Sequence, residues 1–216
     1  MFNIFSTEGL RSFLIILPAL LISLSIHEYA HAWVAYKLGD ITQKIRGRLT
    51  LNPFNHIDLF GFISIILIGV GWGKPVMIDD RSFKNRALGN MLTALAGPMS
   101  NLLLAILLTI LLKVLIVCGV FASGMSQVAN ILLQMMLSAI QFNVIFCVFN
   151  LIPLPPLDGS KVLAFFLPQK LRGWMYTLER YSFFILLVLW CTDLTSIIIR
   201  PAYALILKFL SLILGL

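Results

Sequence analysis

Residues 12–36 read SFLIILPALLISLSIHEYAHAWVAY, and the rest of the chain is interpreted around this stretch. Its only charged side chain is Glu28. It is long enough to cross a hydrocarbon layer as a helix, which takes about 20 apolar residues. Within it, His27-Glu28-Tyr29-Ala30-His31 forms an H-E-x-x-H motif. Residues four apart share a helical face, so both imidazoles can reach one ion while Glu28 sits beside it. Two neutral imidazoles suit Zn²⁺, and a neighbouring carboxylate can serve as general base toward a water at the metal. Ionisable groups are costly in hydrocarbon, so their presence there points to function.

The composition agrees with this reading. Of 216 residues, 60% are hydrophobic and 12% charged, with a mean hydropathy of +0.98. Soluble domains are about a quarter charged, so the expected fold is an all-α polytopic membrane protein forming one domain over residues 1–216. The formal charge of +7 could suggest nucleic acid, but the basic residues flank apolar segments. They are read as topology signals and headgroup contacts, making the lipid bilayer the partner and excluding nucleic acid. Cys118, Cys147 and Cys191 lie in apolar runs and are expected to be buried thiols without a disulfide framework. Ala30-His31-Ala32 resembles a leader-cleavage site. However, Glu8 balances Arg11 and the apolar pattern continues, so the segment is expected to be retained.

Six apolar segments stand out, at about 12–36, 59–72, 88–118, 128–152, 181–199 and 202–216. The second is short for a span and has Gly61, Gly69, Gly71 and Gly73 in or beside it. Eight of the sixteen Lys and Arg residues fall between Lys37 and Arg86, four more in 153–180, and none in 119–127. By the positive-inside rule, 37–86 and 153–180 face the cytoplasm and 119–127 faces outward. Segment 59–72 then has both flanks on one side and should dip in and return. Lys44–Leu51 and Lys74–Ile78 alternate enough to predict a small membrane-embedded strand pair beside it. His27 and His31 lie in the later half of the first helix, roughly 10–18 Å short of its cytoplasmic end.

A catalytic zinc usually takes three protein ligands. Asp158 is one candidate for the third, in Asn150-Leu-Ile-Pro-Leu-Pro-Pro-Leu-Asp158-Gly159, directly after the fourth segment. Its prolines should hold the chain extended before a sharp Asp-Gly turn. Such an Asp-Gly is most often only a turn. His56, in a polar Asn-Pro loop, reads as a hydrogen-bonding or substrate-contact residue more readily than as a ligand. The remaining acidic residues sit in charged loops and call for no special role. Gly97-Pro98-Met99-Ser100-Asn101 should let helices approach closely, with Asn101 bonding across the interface. Asn150 is either a packing contact or a stabiliser of a tetrahedral oxyanion.

These motifs together resemble the site-2 proteases, polytopic intramembrane zinc metalloproteases. The likeness is to the compact bacterial type without a PDZ or other appended domain. It runs from about Pro18 to Lys161, also taking in Arg48-Leu-Thr-Leu-Asn-Pro53, His56-Ile-Asp58 and Gly71-Trp-Gly-Lys-Pro75-Val76. The resemblance implies one Zn²⁺ per chain held by His27, His31 and Asp158, with Glu28 as general base and Asn150 near the scissile carbonyl. It also implies a transmembrane protein substrate cleaved in or near its membrane segment, and a bacterial inner-membrane location with the site toward the cytoplasm. Two rivals are a metal transporter using the same His/Asp site and a membrane protease of soluble substrates with Glu8 or Glu179 as third ligand. A transporter would be expected to show inverted repeats, and none is visible.

Overall fold

The computed structural model describes residues 6–68, 71–122, 124–182, 184–185, 188, 192 and 194–215. Its elements in chain order are α1 (Thr7–Lys37), α2 (Thr42–Ile45), α3 (Leu59–Ile68), α4 (Arg86–Val117), α5 (Gln127–Asn150), α6 (Asp158–Phe166), α7 (Gln169–Arg180) and α8 (Leu194–Leu214). Among the described residues, α1, α4 and α5 are long and apolar enough to cross a membrane. Short polar caps start all three: the side chains of Ser6, Asn85 and Ser126 accept the backbone N–H groups of Gly9, Leu88 and Ala129. The protein is thus a mostly helical membrane protein.

α1, α4 and α5 pack on one another, α6 leans on α4, and α8 covers α4 and α5. Lipid tails are as apolar as Leu, so helices in a bilayer associate through close packing and polar bonds. The interfaces fit that rule. Ala32, Ala35, Ala94, Ala105 and Ser23 are completely buried, whereas larger side chains such as Ile22, Leu103 and Leu107 face outward. Farther along, Leu112 of α4, Met136, Ile140 and Val144 of α5 and Leu210 of α8 form an apolar cluster. Lys113 Nζ donates to Ile213 O at 2.7 Å, tying the C-terminal end of α8 to α4.

α3 has ten residues, about 15 Å of helix, half of a hydrocarbon core. The expected strand pair does not form. Residues 42–45 make one helical turn, and the described residues contain a single isolated bridge, between Ile57 and Gly73. The reason lies in the side chains of 43–48. Arg48 donates to Asn55 O, Lys74 O and Pro75 O, while Gln43 Nε2 and Arg46 both donate to Met77 O. Side-chain donors thus take the carbonyls of the non-helical 74–77 segment that a partner strand would otherwise have used.

Asp40, assigned no role from sequence, is completely buried and anchors this knot. It accepts from Thr42 N and Oγ1, Gln43 Nε2 and Asp79 N at 2.6–3.0 Å. Burial pushes its carboxyl up, but the bonds from Thr42, Asp79 and Gln43 outweigh that and hold it below the ordinary value. Its stabilisation is therefore fully present above the unfolded pKa of about 3.9 and is lost as pH falls through the lower folded value. The detergent-solubilised protein is expected to lose thermal stability below about pH 4. Asp40→Asn should lower Tm at neutral pH and flatten that acid limb; an unchanged limb would remove Asp40 from the account.

Two further readings need correction. Cys147 is buried as expected, but Cys118 caps the end of α4 and is exposed, because the helix stops there. Cys191 and much of segment 181–199 lie outside the described residues. Residues 151–157 are bent, with Leu154 N–H donating to Ile152 O and Leu157 N–H to Leu154 O. Asp158-Gly159 opens α6 instead of forming a turn.

Candidate metal centre

α1 ends where Leu38, Gly39 and Asp40 bond back to the carbonyls of residues 34–36. This leaves His27 and His31 one turn apart on its buried face, 5% and 6% exposed. Their Nε2 atoms are 3.0 Å apart. Asp158 is the first residue of α6, where a carboxylate is favoured by the helix dipole, and it is 8% exposed. Its Oδ2 lies 3.3 Å from His27 Nε2 and 3.1 Å from His31 Nε2. α4 lies between the two elements in sequence and packs against both, so it supplies the floor on which they meet.

The three separations can be tested against a metal. Donors held tetrahedrally about 2.0–2.1 Å from zinc lie roughly 3.3 Å apart. The observed 3.0, 3.1 and 3.3 Å are close to this. Two imidazoles and one carboxylate are also a donor set that zinc takes in hydrolytic sites, with a fourth position left open. Among the described residues, these three are the group of His, Cys, Asp and Glu able to hold an ion together. The residues fit the metal.

The outer side of each imidazole is also engaged. His31 Nδ1 donates to Thr93 O at 2.7 Å, and His27 Nδ1 pairs with Asn101 Oδ1 at 2.6 Å. Both rings therefore turn Nε2 toward Asp158, as a ligand's second nitrogen should be held. Gly97 lies one turn beyond Thr93 on α4. A Cβ there would sit 2.4 Å from His31 Nε2 and 2.6 Å from His27 Cε1, so only glycine leaves the space open.

Glu28 is not one of the clustered groups. Its Oε2 accepts the Val76 N–H at 3.2 Å, placing a carboxylate beside the cluster and under the 74–79 segment. Asn150 ends α5, and its Nδ2 donates to Phe146 O of the same helix; the described residues give it no hydrogen bond to the cluster. His56 is completely buried and donates through Nε2 to Thr50 O at 2.7 Å, a hydrogen-bonding role in its own loop. Asn101 does bond across the helix interface. Sequence reasoning missed Thr93, Asn143 and Ser23. Asn143 could have been found as an amide one heptad before Asn150 and so on the same helical face.

A family model described as Peptidase family M50 matches residues 15–126. The chain is 41% identical over 187 residues to "Putative zinc metalloprotease YwhC" of Bacillus subtilis (strain 168), covering 84% of this chain and 82% of that protein. It is 31% identical over 188 residues to "Putative zinc metalloprotease Rip2" of Mycolicibacterium smegmatis, covering 83% and 68% respectively. No solved structure matches.

Proposed function

Since the chain belongs to peptidase family M50, the site-2 zinc metalloproteases, we propose that His27, His31 and Asp158 hold its zinc and that Glu28 is the general base. The protein is an intramembrane zinc metalloprotease. One observation carries the residue assignment: three donors meet at ligand spacing, with a carboxylate beside them that does not join the set.

When bound, Zn²⁺ supplies Lewis acidity for peptide hydrolysis. Glu28 takes a proton from the attacking water and delivers it to the departing amine. Water's oxygen bonds to the carbonyl carbon, the C–N bond breaks, and the proton ends on the new amino group. Asn150, at the end of α5, is assigned to the oxygen of the tetrahedral species, which requires its amide to turn away from Phe146 O. A helical substrate hides its backbone, so the reacting stretch must first unwind.

We take residues 1–216 as one domain, with all six apolar segments in or at the bilayer and 59–72 re-entrant. Residues 37–86 and 153–180 are placed on the cytoplasmic side of a bacterial inner membrane, and 119–127 outside. The substrate is a membrane protein cleaved in or near its transmembrane segment. The transporter alternative draws no support from the comparisons, whose printed names are those of a peptidase family and metalloproteases.

The test is metal content per chain in the purified protein alongside cleavage of a transmembrane reporter. His27→Ala and Asp158→Ala are each expected to lose both. Full zinc occupancy in Asp158→Ala would overturn the ligand set and reopen the choice of third ligand.

A further inference from the structure

We infer that Asn143, on α5, is a positioning residue for the metal, acting through Asn101 to fix which nitrogen of His27 faces the ion. This rests on the reading of His27 as a ligand. Four buried side chains form one chain of bonds across three helices. His27 Nδ1 is 2.6 Å from Asn101 Oδ1. Asn101 Nδ2 donates to Asn143 Oδ1 at 2.7 Å and to Ser23 O at 3.1 Å. Asn143 Nδ2 donates to Ser23 Oγ at 2.7 Å and to Ala139 O at 2.8 Å. Ser23 Oγ donates onward to Ala19 O at 2.8 Å.

The two ends of an amide are told apart by their partners. Ser23 O and Ala139 O are carbonyls and can only accept. The nitrogen of Asn101 must therefore face Ser23, and that of Asn143 must face Ala139. Ser23 spends its hydroxyl hydrogen on Ala19 O, so toward Asn143 it accepts. With both amides oriented, Asn101 meets His27 with its oxygen, so Nδ1 carries the hydrogen. Nε2 then turns its lone pair toward His31 and Asp158. Flipping the Asn101 amide would offer His27 Nδ1 an N–H and so favour the tautomer with its hydrogen on Nε2, and it would set the amide oxygen against two acceptors, Ser23 O and Asn143 Oδ1. Asn143 contributes the shorter of the two bonds that prevent this flip. Packing among α1, α4 and α5 is thereby coupled to the tautomer on which metal binding depends.

The test uses the full chain in detergent, with zinc affinity measured by chelator competition and coordination by the visible spectrum of the Co²⁺-substituted protein. Asn143→Ala is expected to weaken zinc about 10–100-fold and to shift the cobalt bands. In an Asn101→Ala background, which keeps the His27 ligand, the same substitution should have no further effect, since its action passes through that amide. Wild-type affinity and spectrum in Asn143→Ala overturn the inference. So does an equal loss in the Asn101→Ala background, which would mark general packing. If Asn143→Ala does not fold, Asn143→Thr decides by the same criteria. It nearly preserves volume while its shorter hydroxyl bonds back to Ala139 O. Undiminished zinc binding in His27→Ala alone would instead sink the ligand reading itself.

Discussion

Glu28→Gln is expected to retain zinc at the wild-type ratio while cleavage of a transmembrane reporter falls about 10²–10⁴-fold, the usual contribution of a positioned general base. The two halves of this expectation have separate causes. Glu28 lies outside the donor cluster, and its recorded bond is the one it accepts from the Val76 N–H. A glutamine keeps an oxygen for that bond and nearly the same shape, so the 74–79 segment and the ligands have no reason to move. What disappears is the ability to take a proton from water. Zinc per chain by elemental analysis and cleavage rates on one preparation check both halves. Undiminished activity would remove Glu28 as base, and loss of zinc along with activity would move it into the metal's ligand set.

Gly97→Ala is expected to set a methyl group directly against both imidazoles. Real Cβ contacts essentially never fall below 3.0 Å, yet this one would stand 2.4 Å from His31 Nε2 and 2.6 Å from Cε1 of either histidine. The rings would have to swing away from Asp158, or α4 would have to retreat from α1. We expect zinc affinity to fall more than about 100-fold, beyond the range of outer-shell changes. Folding should survive, because alanine is favoured over glycine inside a helix by about 1 kcal/mol. Gly173→Ala is the control: a Cβ there meets nothing within 4 Å, and zinc binding should not change. Normal zinc affinity in Gly97→Ala would mean that the site can open without cost.

Legibility from sequence followed the range of the interactions involved. The span over 12–36, the shared face of His27 and His31 and the shortness of segment 59–72 all follow from local periodicity and length. Asp158 was legible as a candidate because it follows an apolar run. The resemblance to a known family, more than any local pattern, tied it to the histidines. The bent 151–157 entry and the opening of α6 at Asp158 depend on how 151–159 pack together: Gly159 sits where a Cβ would meet Leu151 O at 2.3 Å. Alternation in 44–51 and 74–78 was misleading for a related reason. Period-2 patterning says which side chains could share a face, but not whether Arg48 and Gln43 will reach the carbonyls first.

The sequence by itself determined that this chain lives in a membrane and that a pair of imidazoles with a carboxylate between them sits on one helix there. Both facts follow from hydropathy and from 3.6 residues per turn, which need no partner. Only the tertiary structure decided that Asp158 comes within 3.3 Å of both rings. It likewise decided that Gly97 clears the space beside them and that Asn101 and Asn143 hold one ring by its far nitrogen. Those contacts join residues 42 to 131 positions apart. Such meetings are set by how α1, α4, α5 and α6 pack, not by any spacing along the chain.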